Sequence, residues 1–128
     1  MNHKIIFVDD EVNILKALKR DMTMADIDAE YFTSAEDALV YLSQHQIDIV
    51  VSDFCMPEMN GVTFLKEVQI SYPDIYRVIL SSCGVESSEL NKALKSRTVE
   101  QCFAKPWDVN ELLAYFERFK DHAQHSFI

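Results

Sequence analysis

Apolar residues along this chain switch repeatedly between two spacings. Apolar-rich runs at 4–8 (KIIFV), 47–52 (IDIVVS) and 76–80 (YRVIL) read as strands buried on both faces, and weaker runs at 28–32 and 101–104 predict two more. Between them the apolar positions recur at helical spacing. Ile14, Leu15, Leu18 and Met22 share one face over 12–24, and Ala35, Ala38, Leu39 and Leu42 fall at i, i+3, i+4 and i+7. Phe64, Leu65 and Val68 follow Gly61, while Leu90, Ala93 and Leu94 mark a helix over 87–97. Val109, Leu112, Leu113 and Phe116 form the last stripe. Punctuation agrees: Ser34 with Asp37, and Asp108 with Glu111, have the spacing of N-terminal capping boxes, and the third helix must stop before Pro73.

Strands and helices thus alternate along the chain. Crossovers of that length imply parallel strands, covered by helices on both faces. The expected fold is α/β: a single doubly wound, flavodoxin-like (βα)5 domain with strand order 2-1-3-4-5, over residues 1–120, and a tail at 121–128. Ligands of such a sheet bind at the carboxyl ends of strands 1 and 3. The 128 residues, 48% hydrophobic and 26% charged, suit one soluble core.

Charge narrows the partners. A net charge of −9 argues against direct nucleic-acid contact and against anionic membrane surfaces. No apolar run approaches the roughly 18 residues that span a bilayer. Met1-Asn2-His3-Lys4 leads straight into an apolar strand without a signal-peptide pattern, which predicts a cytoplasmic protein. Cys55, Cys83 and Cys102 show neither a disulfide framework nor zinc spacing. His3, His45, His122 and His125 read as solvated, and Trp107 as a cover on the edge of the core.

The strand ends carry the chemistry. Strand 1 ends in Asp9-Asp10-Glu11, strand 3 in Asp53, strand 4 in Ser81-Ser82 and strand 5 in Lys105-Pro106. In a parallel sheet these ends share one rim. An acid pair after a strand is also an ordinary helix start, and Glu11 reads as a first-turn helix acid. Crowded carboxylates, however, are costly to keep ionised, and a hard dication such as magnesium relieves them. Asp53 could then attack an activated phosphorus, with Ser81, Ser82 and Lys105 receiving the transferred oxygens. In the loop after Asp53, Pro57 fixes one φ angle and Gly61 permits a backbone approach that a Cβ would block.

The segments "FVDDE", "DFCMPEMNG", "VILSS" and "FAKPW" resemble, in order and spacing, the signatures of the response-regulator receiver domain of two-component signalling, over residues 4–120. The resemblance implies that Asp53 accepts a phosphoryl group from the phosphohistidine of a sensor histidine kinase or phosphotransfer protein. It makes Asp10 a direct magnesium ligand, Asp9 a ligand largely through water, and the backbone carbonyl of Cys55 the remaining protein ligand besides Asp53. Ser81 matches the switch hydroxyl and Lys105 the phosphate-binding lysine, with a cis peptide before Pro106. Self-phosphorylation and self-dephosphorylation would be its only catalysis. Partner binding, including homodimers, is expected through residues 87–119. The output would be a downstream effector, either a docked protein or a domain of a longer regulator. A magnesium-dependent phosphohydrolase with an aspartyl nucleophile is the alternative, although such enzymes place the nucleophile on strand 1 and carry a cap. A flavin carrier lacks a phosphate loop here, and a phosphate-blind docking domain would not need the full set of acids and lysine.

Two departures from that family stand out. Receivers usually have Tyr or Phe three residues before the lysine, where this chain has Cys102. Phe103 is next to it and should point to the opposite face of the strand. Cys55 and Cys83, two residues beyond Asp53 and Ser81, occupy positions that flank the carboxylate and tune phosphoryl lifetime in receivers, and two thiols there also raise the question of redox sensitivity.

Overall fold

The computed structural model describes residues 4–82 and 87–125. In chain order the elements are β1 (Ile5–Val8), α1 (Val12–Met24), β2 (Ala29–Phe32), α2 (Ala35–Leu42), β3 (Ile49–Asp53), α3 (Gly61–Ser71), β4 (Tyr76–Ser81), α4 (Ser88–Lys95), β5 (Gln101–Ala104) and α5 (Val109–His125). The strands form one parallel sheet in the order β2-β1-β3-β4-β5. The doubly wound order expected from the pattern is therefore the one observed.

Alternation along the strands divides the core in two. Ile6, Val8, Val50 and Ile79 pack under α2, α3 and α4, whereas Ile5, Phe7, Val51, Val78 and Leu80 pack under α1 and α5. Both faces are dry, which is why the central strands read as continuous apolar runs. Phe7 stacks on Tyr31 and meets Phe116 edge-on, tying β1 to β2 and α5.

Local caps explain several boundaries. Ser34 accepts from the Asp37 N–H, Ser87 from the Leu90 N–H, and Asp108 from the N–H groups of Asn110 and Glu111. Asn60 caps α3 by accepting from the Thr63 N–H at 2.8 Å, while its amide donates to the Glu89 carboxylate on α4. Replacing Asn60 by alanine is expected to cost about 1 kcal/mol in urea unfolding, the usual value of a lost cap.

Several boundaries differ from the sequence reading. β3 begins at Ile49 rather than 47: the Ile49 N–H opens the ladder on the Lys4 carbonyl at 3.2 Å, which also accepts from the Asp48 N–H at 2.8 Å. Asp53 is consequently the last residue of β3, not the first beyond it. Glu11 is the N-cap residue of α1, outside its first turn, and its backbone N–H donates to Asp9. α5 runs on to His125, past the loss of its apolar stripe near 120. His3, Cys83 and residues 126–128 lie outside the described residues.

One buried charge has no counterpart in the sequence reading. Arg77, on β4, is 5% exposed. Its guanidinium donates to the carbonyls of Thr98, Ile75, Pro73 and Arg97 and lies 3.5 Å from Glu100. Thr98 in turn donates to Gln69 of α3. These bonds fasten the turn after α4 to the base of the sheet.

Candidate functional site

The carboxyl ends of β1, β3, β4 and β5 meet on one rim, as parallel topology requires. Asp9 follows β1 and is 2% exposed; Asp53 closes β3 and is 7% exposed; Asp10 is open to solvent. Carboxylate oxygens of Asp9, Asp10 and Asp53 all lie within 4.8 Å of one another. The Lys105 ammonium reaches into this group, 2.7 Å from Asp9 Oδ2 and 2.9 Å from Asp53 Oδ1. The Lys105 N–H bonds to the Ser81 carbonyl at 3.0 Å, extending the β4–β5 ladder and holding the lysine at the rim, and the Lys105–Pro106 peptide is cis. Ser81 is buried at the end of β4, and Ser82 is exposed beside it.

Three carboxylates therefore face one ammonium. Burial pushes the Asp53 carboxyl above its ordinary value; the bond from Lys105 opposes this, and the charge of Asp9 adds to it. Burial also works to lower the Lys105 ammonium, but its hydrogen bonds to Asp9 and Asp53 outweigh that and hold it above its usual value. A raised carboxyl pKa means the folded state favours the proton, so Asp53 contributes stability only at low pH and loses it as pH rises through the folded value. Asp53→Asn is accordingly expected to stabilise the metal-free fold near neutral pH by about 0.5–2 kcal/mol. The gain should vanish below about pH 4, where the unfolded carboxyl also takes up its proton, and thermal melts across pH measure it.

The loop from Phe54 to Asn60 is shaped by Gly61. Its N–H bonds to the Phe54 carbonyl at 2.7 Å, and a Cβ built on it would lie 2.2 Å from the Asp53 carbonyl oxygen. The close approach expected of this glycine is present. Cys102 and Phe103 lie on opposite faces of β5: Cys102 packs with the α2–α4 side, and Phe103 meets Tyr115 edge-on at 5.4 Å under α5. Burial pushes the Cys102 thiol above its ordinary pKa, so it remains a thiol at neutral pH. Trp107 covers the α1–α5 side and donates from Nε1 to Asp21 at 3.0 Å, a polar tether that the expected core cover did not include. His45 is exposed, stacked on Tyr41.

A doubly wound sheet with an acid trio and a lysine at its switch point defines the class of α/β domain that works at its carboxyl rim. Residues 5–117 match the family profile of the response regulator receiver domain, and the chain belongs to that family. It is 32% identical over 117 residues to the DNA-binding transcriptional regulator NtrC of Proteus hauseri, covering 90% of this chain and 24% of that protein. It is 33% identical to the hydrogenase transcriptional regulatory protein HoxA of Bradyrhizobium diazoefficiens, covering 85% of this chain and 22% of that one. The chain thus spans about a quarter of the length of these relatives. Among solved structures, the signal receiver domain of an HD domain-containing protein from Pseudomonas fluorescens Pf-5 superposes with a TM-score of 0.85 at 28% identity, covering 98% of this chain and 99% of that one. The protein is a receiver domain of two-component signalling, and the phosphohydrolase alternative is not favoured. No helix among the described residues is long and apolar enough to cross a membrane.

Proposed function

We propose that Asp53 accepts a phosphoryl group from a protein phosphohistidine and that the resulting change is read by a partner at 87–119. The observation that carries this is Lys105 lodged between Asp9 and Asp53, at the buried end of β3. The nucleophile would be Asp53 Oδ2, the oxygen that Lys105 does not hold. As its bond to phosphorus forms, the phosphorus–nitrogen bond of the donor breaks, and the imidazole leaves with the electron pair. Lys105 and the hydroxyls of Ser81 and Ser82 would receive the oxygens of the incoming group.

The donor set fits a small, hard dication: it is all oxygen and carries more negative charge than one lysine neutralises. Asp9, Asp10, Asp53 and the backbone carbonyl of Cys55 would hold magnesium. When bound, magnesium would neutralise charge on the phosphoryl oxygens. Catalysis is confined to the chain's own phosphorylation and dephosphorylation. The sensor kinase and the downstream effector are the implied partners, and DNA binding is a property of the longer relatives rather than of this acidic domain.

Acetyl phosphate with magnesium tests the reading. The wild type should gain an acid-stable, alkali-labile phosphate, and Asp53→Asn should gain none. Equal labelling of the two, or turnover of small phosphomonoesters, would reject the assignment. Dephosphorylation rates of Cys55→Asn would show whether position 55 tunes phosphoryl lifetime.

A further inference from the structure

A cavity of about 430 Å³ opens on the rim beside the acid trio, between the start of α2 and the loop that leads from β3 to α3. Its apolar floor is made by Leu39, Met56 and Met59, all half-buried against the α2–α4 core. Its walls carry Asp10, Glu36, Glu58 and Glu67, all exposed, and no lysine or arginine lines it among the described residues. Asp10 belongs both to this wall and to the carboxylate trio.

We propose that this cavity receives a large apolar side chain, flanked by lysine or arginine, from the protein that delivers the phosphoryl group to Asp53. The proposal rests on the reading of Asp53 as acceptor. A donor protein has to bring its phosphohistidine to the rim, and a cavity that shares Asp10 with the trio falls inside that footprint. The volume suits an aromatic or branched aliphatic anchor. The two methionines can repack around an anchor of imperfect shape. Walls of one sign attract basic flanks and repel acidic ones. A second copy of this chain, at −9, is disfavoured by the same charge.

The test compares two double variants of the whole chain. Glu36→Lys with Glu67→Lys cancels the charge of the cavity wall, setting two lysines against Asp10 and Glu58. Asp28→Lys with Asp74→Lys makes the same change in net charge on exposed residues at the opposite edge of the sheet. Each is labelled by a purified phosphohistidine kinase that labels the wild type and, separately, by acetyl phosphate. The expected result is a fall of about tenfold or more in kinase-driven labelling for the wall variant alone, with a weakened salt dependence. Its labelling by acetyl phosphate should be unchanged. Unchanged kinase-driven labelling overturns the proposal, and an altered sedimentation coefficient alongside it would assign the cavity to contact between copies. Equal slowing with both donors overturns it in favour of damage to the site, and equal slowing in the opposite-edge variant in favour of bulk charge. Label that survives Asp53→Asn overturns the acceptor reading itself, and this proposal with it.

Discussion

Gly61→Ala should unfold at markedly lower urea than the wild type, losing about 3 kcal/mol or more, and should label poorly with acetyl phosphate. The added carbon would lie 2.2 Å from the Asp53 carbonyl oxygen and 2.8 Å from Ile79 Cδ1. Ile79 can change rotamer, but the carbonyl cannot move cheaply. It ends a central strand, accepts the Ser52 hydroxyl at 2.9 Å, and is followed at once by the Phe54 N–H bond to Leu80. Overpacking of this kind costs typically about 1–3 kcal/mol, and more when backbone has to yield. Alanine recovers up to about 1 kcal/mol of helix propensity over glycine, which does not offset the clash. Because the displaced group is the backbone of Asp53, stability and labelling should fail together. A Gly61→Ala protein as stable as wild type would show that the strand end and α3 can separate without penalty.

The second large effect is expected at Lys105. Lys105→Met keeps most of the stem but leaves Asp9 and Asp53, 2% and 7% exposed, without their shared ammonium. Removing one partner of a buried pair costs about 3–5 kcal/mol because the remaining charge is stranded. The burial that already raises the Asp53 carboxyl pKa would then act without the opposing lysine. The sign follows: a carboxyl whose folded pKa is raised destabilises most where it is ionised. The loss should be greatest near neutral pH and shrink as pH falls and the acids protonate. Magnesium should recover part of the stability at neutral pH, since a ligand of the folded state alone stabilises by mass action. A loss independent of pH would mean that Lys105 matters for packing rather than for charge.

Much of this was legible in the sequence, for a reason that can be stated. Strand ends are marked where an apolar run stops, and parallel topology converts a list of strand ends into a shared rim. Asp9, Asp10, Asp53, Ser81 and Lys105 stand at or beside such ends, and the fold brings them to one rim. The opposed directions of Cys102 and Phe103 followed from strand alternation alone. Features set by distant backbone were not legible. Arg77 sits second in YRVIL, where a charged residue reads as an exposed strand end. It is buried because carbonyls from two remote loops gather around it, and no local pattern encodes them. The start of β3 is likewise set by a distant group, since the ladder opens where the Ile49 N–H meets the Lys4 carbonyl. The cavity beside Asp10 is assembled from α2, α3 and the loops after β1, β2 and β3, and no local pattern marks Met56 and Met59 as its floor.

The Arg77 bonds bear on how a signal could leave the domain. They clamp the segment from Arg97 to Glu100, immediately after α4, to the foot of β4. The start of α4 buries Leu90 in the α2–α4 core and carries the solvent-exposed bond from the Asn60 amide to Glu89. The carboxyl end of this helix is thus tied through a buried guanidinium, and its start through one apolar side chain and an exposed amide. A reorientation of α4 that keeps the Arg77 bonds would swing about its carboxyl terminus, with the larger displacement at the extremity nearer the carboxyl rim of the sheet.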